Sequence, residues 1–141
     1  MTKTKLFNLK KIHLLSFLTL FAVLFSFGSG FNANAATWQN QEIKVKGEWS
    51  IESRGDGDYL VLNDSFKTKN APDLKFFVTN KSYDSVTGKN ATDGAKLIAQ
   101  ISSNKGAQEY KIPADLNLSD YNSLILHCEQ FSKLWASTPL K

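Results

Sequence analysis

Cysteine occurs once in the 141 residues, at Cys128, so no disulfide can close within the chain. Histidine occurs twice, at His13 and His127, and the Cys/His spacing of a structural zinc site is missing. There is no Gly-x-Ser-x-Gly nucleophile elbow and no twelve-residue calcium loop. No paired-carboxylate or nucleophile-base constellation stands out, so a hydrolytic enzyme is not the expected reading. Internal repeats and low-complexity tracts are absent, and only one long apolar run exists.

That run lies near the start. Lys3, Lys5, Lys10 and Lys11 make a basic segment without an acid, and an apolar stretch follows from Leu14 to Phe27. Gly28-Ser29-Gly30 breaks it, and Ala33-Asn34-Ala35 places small residues where a signal peptidase reads them. The pattern predicts a helical signal peptide over residues 1–35, cut between Ala35 and Ala36. The run is shorter than the roughly 20 apolar residues needed to cross a bilayer, so no membrane anchor is expected after cleavage. No cysteine lies near the cut, which excludes a lipid-anchored cysteine there. Export to a periplasm, a cell surface or the medium is the expected destination.

Processing changes the charge. The chain has 17 Lys and Arg against 13 Asp and Glu; four of the lysines and none of the acids precede Ala36, leaving 13 of each sign. A neutral domain with no basic run gives no electrostatic reason for a nucleic-acid partner or for an anionic lipid surface.

Residues 36–141 suit a single domain with one modest core. Ala36 to Gln41 reads as a short lead-in. Ile43, Val45, Trp49 and Ile51 alternate with polar residues, which predicts a half-buried strand with Gly47 as a bulge. Arg54-Gly55-Asp56-Gly57-Asp58 predicts a turn, and Tyr59–Leu62 the returning strand of a hairpin. Pro72 biases Ala71 to an extended shape ahead of a strand over Leu74–Val78. Thr79 to Gly94 is polar and predicts a loop. Lys96–Ile101 and Gln108–Ile112 read as shorter strands, the second ended by Pro113, and Asp115–Asp120 as a connection. Leu124–Cys128 is the most apolar strand of the domain and is expected to be central. The last segment, Phe131–Leu140, reads as a strand or an irregular return, kept short by Ser137-Thr138-Pro139. Seven to nine short strands between turn residues predict an all-β domain, a single β-sandwich or flattened β-barrel.

Chemistry has few places to sit. Cys128 is either a small buried hydrophobe or a lone thiolate serving as a metal or haem ligand or as a redox group. His127 is a weaker companion, because neighbouring strand residues point to opposite faces and cannot easily hold one ion. Asp56, Asp58 and Asp73 are the binding-loop candidates, and Asp64 joins the first two as a calcium candidate. Arg54-Gly55-Asp56 matches an adhesion tripeptide but is also simply a favourable turn. Asn63, Asn80, Asn90 and Asn117 each open an Asn-x-Ser/Thr acceptor, which matters only where glycosylation operates. Trp38, Trp49 and Trp135 suit a core better than a sugar-binding face.

Several segments follow one another in a distinctive order: Gly47-Glu48-Trp49, Tyr59 to Phe66, Asn70-Ala71-Pro72-Asp73-Leu74-Lys75, Lys105 to Pro113, and Leu124 to Phe131 with a closing Leu134-Trp135-Ala136. This succession resembles the DM-thirteen domain family, first noted in skeletor-type animal proteins and widespread in exported bacterial ones. The likeness runs from about Ile43 to Leu140. It implies a compact β domain acting in electron transfer, with a cysteine at the position of Cys128 as the redox or metal-binding group. A metal or haem held through that cysteine is the implied cofactor. Larger animal members pair the domain with haem-binding and membrane-cytochrome modules. Neither is present in these 141 residues, so the implied partner is a separate redox protein. The competing expectation is a non-catalytic binding or adhesion module, with the loops Thr79–Gly94 and Gly55–Asp58 as its contact surface and Cys128 as packing alone.

Overall fold

The computed structural model describes residues 34–141. The expected signal peptide up to Ala33 lies outside the described residues.

Alternating sequence becomes nine strands: β1 (Ala36–Thr37), β2 (Asn40–Gln41), β3 (Glu48–Arg54), β4 (Gly57–Leu62), β5 (Leu74–Thr79), β6 (Lys96–Gln100), β7 (Gln108–Lys111), β8 (Ser123–Cys128) and β9 (Lys133–Pro139). One sheet has the order β1-β3-β4-β7 and the other β2-β9-β8-β5-β6. Every pairing is antiparallel. The two sheets do not close on each other, so of the two expected architectures the sandwich is the one formed. Among the described residues the only helical element is a 3-10 turn at Leu118–Asp120, capped by the side chain of Asn117.

Side chains two apart share a face of a strand. Trp49 of β3, Leu60 and Leu62 of β4 and Tyr110 of β7 therefore face inward from one sheet. Leu74, Phe76 and Val78 of β5 and Leu124, Leu126 and Cys128 of β8 meet them from the other. Trp38 and Trp135 complete this core, so all three tryptophans are buried. Trp38 stacks on Phe76 with ring centroids 6.1 Å apart and lies 6.3 Å from Trp49, while Phe76 is 5.5 Å from Tyr110.

The long loop after β5 does more than connect. Val86 and Ala91 pack onto Phe77, Ile125 and Leu134, covering the outer face of the five-stranded sheet. All six residues of β8 are consequently buried. That explains its unbroken apolar sequence, and it stands in the middle of its sheet as expected.

Two boundaries differ from expectation. The first long strand begins at Glu48 rather than Ile43, because Gly47 takes a left-handed backbone (φ 87) that interrupts the ladder. Before it, Lys46 makes only an isolated bridge to Lys67. The final strand is long, seven residues from Lys133 to Pro139. Its polar residues continue the strand because they are satisfied: Ser137 Oγ donates to Tyr83 O at 2.6 Å and Thr138 Oγ1 to Thr37 O at 3.0 Å.

Candidate functional site

Cys128 is the last residue of β8, paired with Leu74 on one side and Lys133 on the other. Its thiol is free and fully buried in the main core. The chain then turns. Glu129 N donates to Asp73 O at 3.1 Å and Ser132 N to Glu129 O at 3.1 Å, with Ser132 in the left-handed region at φ 45. Phe131, at the tip of this turn, is 62% exposed.

Burial sets the expected response to substitution. Cys128→Ala removes one sulfur from a packed site and is expected to cost about 1 kcal/mol. Cys128→Ser is expected to cost more, about 1–3 kcal/mol, because a hydroxyl replaces the thiol in an apolar shell. Urea denaturation of the two variants checks the order.

His127 points the other way, as alternation requires, and is 2% exposed. Its Nε2 lies 2.9 Å from Gly88 O, so the proton on that nitrogen is donated to the loop covering the sheet. Its Nδ1 is buried with no partner, and its ring meets the edge of Phe77. Cys128 and His127 thus lie on opposite faces of one sheet. Among the described residues no three His, Cys, Asp or Glu side chains converge to hold a metal ion. Cys128, fully buried and outside any such group, does not fit a metal or haem ligand.

Charge gathers at this end of the five-stranded sheet, with Lys75 on the face of His127 and not on that of Cys128. Lys75 stands between Asp73, at 3.0 Å, and Glu129. Its ammonium is held charged above the ordinary range, first by Glu129 and then by Asp73. Lys133 pairs with Glu42 at 2.5 Å.

Asp56 and Asp58 belong to the opposite end of the sandwich. The hairpin turn forms as predicted, with Arg54 paired to Gly57. Asp56 accepts hydrogen bonds from Lys111 Nζ and Tyr59 Oη, each at 2.8 Å. Arg54 lies over the Tyr59 ring, 4.3 Å from its centroid, and pairs with Glu109 at 2.8 Å and Glu52 at 3.0 Å. Asp58, at the exposed end of the hairpin, accepts from Ser53 Oγ at 2.6 Å. The three acidic candidates therefore do not form one site.

Lys111 first, and Tyr59 second, hold the Asp56 carboxyl below its ordinary range. A carboxyl depressed on folding adds stability at neutral pH that is lost as pH falls through the acidic range. This group is exposed, so the global effect is expected to be small. NMR titration of Asp56 is expected to show its midpoint move upward in Lys111→Ala.

Three of the four sequon asparagines are in structural use. Asn63 Oδ1 accepts from Glu48 N, Asn90 Oδ1 from Thr87 N and Asn117 Oδ1 from Ser119 N. Sequence reasoning missed the pairing of Lys75 with Glu129. The signal was partial: Lys75 follows Leu74 and Glu129 follows Cys128, but their pairing is a cross-strand fact.

Between the end of β3–β4, the end of β9 and the 3-10 turn lies a groove of about 750 Å3. Its walls include Trp49, Ile51, Leu118 and Leu140, with Ser53 and Asp58 beside them. No reading of the sequence singled it out. A family profile described as "Electron transfer DM13" matches residues 37–140. No curated protein and no solved structure matches the chain.

Proposed function

Starting from the fact that this chain belongs to the DM13 electron-transfer family, matched over residues 37–140, we propose that it acts on a separate partner protein through the thiol of Cys128 by thiol–disulfide exchange: the deprotonated Cys128 sulfur attacks a disulfide of the partner, forming a mixed disulfide and releasing the partner's other sulfur as a thiolate. The observation that carries this reading is the position of the only thiol. It lies at the end of the central strand, next to the Glu129–Ser132 turn in the chain, and not in mid-strand. The same end of the sheet carries an exposed aromatic, Phe131, and, on the face opposite to the thiol, the Asp73–Lys75–Glu129 charges, a surface suited to docking a protein. Thiol exchange requires access to the sulfur, so a local opening at this strand end is part of the proposal. Export places this thiol in a compartment where redox partners act on proteins.

Incubation with oxidised glutathione tests the reading. Cys128 is expected to form a mixed disulfide with one glutathione and release the other as a free thiol, seen as a mass increase that dithiothreitol reverses and that is absent from Cys128→Ser, while the circular dichroism spectrum is retained. A thiol that stays unmodified in the native protein overturns its role. A visible chromophore or stoichiometric metal in the purified protein overturns the claim that the thiol acts without a cofactor.

The complete burial of Cys128 supports a second reading, in which the residue only packs and the domain is a binding module. Retention of every redox property and phenotype in Cys128→Ala would select it.

A further inference from the structure

We infer that five lysines, Lys44, Lys46, Lys67, Lys69 and Lys105, form a docking face for a linear polyanion bearing repeated phosphate groups. No basic run exists along residues 36–141; strand pairing assembles one. Lys46 pairs with Lys67, and Lys67 with Lys105, as antiparallel bridges. Lys46 N donates to Lys67 O at 2.9 Å, Thr68 N to Asn104 O at 2.9 Å and Gly106 N to Phe66 O at 2.8 Å, which fixes this register. Residues directly opposite in antiparallel strands share a face, with Cβ atoms about 4.5–5.5 Å apart. Lys46, Lys67 and Lys105 therefore make a row of three across the strands. Lys44 and Lys69 lie two residues further along, beyond the buried Val45 and Thr68. Thr68 Oγ1 donates to Lys44 O at 3.1 Å and holds these two segments together. All five lysines are exposed.

The charge of this face is not offset. Among the described residues the ion pairs take up Arg54, Lys75, Lys111 and Lys133, and none of the five lysines. Acids close by along the chain are engaged elsewhere: Glu42 pairs with Lys133, and Glu48 accepts from Asn63 Nδ2. Asp64, in the turn before Phe66, forms no ion pair with them. Like charges directly opposite each other destabilise a sheet. An otherwise neutral domain thus gathers positive charge here against its own stability, and a bound polyanion relieves the repulsion. The residue types narrow the occupant. Lysine meets phosphate as a point charge, whereas paired planar oxygens suit the fork of arginine. The only arginine from residue 36 onward, Arg54, is engaged by Glu52 and Glu109. Segments 44–46, 67–69 and 104–106 hold no exposed aromatic on which a base would stack and no large exposed apolar side chain to enter a bilayer; Leu97 and Phe131 lie outside them. A flexible polymer recognised by charge alone fits these features. The face does not involve the thiol, since Cys128 belongs to the core.

The test titrates the purified protein with long-chain inorganic polyphosphate at low salt and follows amide chemical shifts. Shifts are expected to centre on Lys46, Lys67 and Lys105. Affinity is expected to fall with salt along a log–log slope of roughly −3.5, the value for five contacts to a single-stranded polyanion. Lys67→Gln is expected to bind about fivefold more weakly, and Lys46→Gln/Lys67→Gln about 25-fold, a similar factor for each lysine at an anionic surface. Both variants are expected to melt no lower than the native protein, since they relieve repulsion between neighbours, so weaker binding does not reflect unfolding. Lys89→Gln/Lys96→Gln removes the same charge from exposed positions elsewhere and is expected to change affinity by less than about twofold. Cys128→Ser is expected to bind as the native protein does, so this face and the thiol reading can fail separately. No binding at low salt, shifts centred elsewhere, or an equal loss in Lys89→Gln/Lys96→Gln would overturn the inference. Equal affinity per phosphate for phosphatidylglycerol vesicles or for duplex DNA would overturn the choice of occupant.

Discussion

Phe76→Ala is expected to remove most of the stability of the domain. The side chain is fully buried, stacked on Trp38 at 6.1 Å and tilted against Tyr110 at 5.5 Å. Truncating a buried phenylalanine costs about 3–5 kcal/mol, because the cavity collapses only in part. Losing two aromatic contacts adds to this, at about 0.5–1.5 kcal/mol for each pair. Domains of this size are commonly stable by only about 5–15 kcal/mol. In a domain of about 100 residues each kcal/mol shifts the melting temperature by roughly 4–8 °C. The variant is therefore expected to melt at least 12 °C lower, or not to accumulate folded at all. Phe76→Leu keeps more of the volume and is expected to lose less than half as much. Thermal denaturation of the pair checks both the size and the order.

Gly47→Ala is expected to have the next largest effect, through two independent causes. The backbone there has φ 87, which costs an L-residue about 1–2 kcal/mol. A Cβ would also stand 2.5 Å from Phe66 N and 2.6 Å from Phe66 Cα, both backbone atoms that cannot swing aside. Moving that segment disturbs the Lys46–Lys67 bridge and the buried ring of Phe66, and overpacking of this kind costs a further 1–3 kcal/mol or about that. A total of about 2–5 kcal/mol is expected. Gly94→Ala is the control: its φ is 70, but nothing lies within 4 Å of the added carbon. It is expected to cost only about 1–2 kcal/mol, the backbone part alone. If urea denaturation finds the two equal, steric contact with Phe66 contributes nothing.

Gly88 shows the reverse case. Its backbone is not left-handed, yet an added Cβ would fall on the carbonyl oxygen of Ser132. It brings the covering loop against the turn after β8, and its own carbonyl holds His127. The loop after β5 and the turn after β8 thus pack against each other. No local pattern announced this. A polar run such as Thr79–Gly94 looks solvated, yet the buried Val86 and Ala91, with the carbonyls of Lys81, Tyr83 and Gly88 held by Ser123, Ser137 and His127, fasten it to the sheet.

Much else was legible locally, since strand periodicity is local chemistry. Alternation around Trp49, the Gly-rich hairpin turn and the continuous apolar run of β8 each specify their own conformation. The opposite orientation of Cys128 and His127 followed from period two alone. The short expectation for the last strand failed at Ser137 and Thr138. Their hydroxyl partners, Tyr83 O and Thr37 O, lie 54 and 101 residues away along the chain.

By itself, the sequence determined an all-β domain over its last hundred or so residues, with the family to which it belongs and a single thiol that cannot form an internal disulfide. Those properties reside in residue type, spacing and count. Tertiary structure alone decided that the thiol is sealed, that Lys75 pairs with Glu129, and that Asp56 and Asp58 stand at the far end from Asp73. Each is a relation between strands distant along the chain, set by which strand pairs with which and in what register. A one-residue slip of any of those pairings would turn the same side chains to the opposite face.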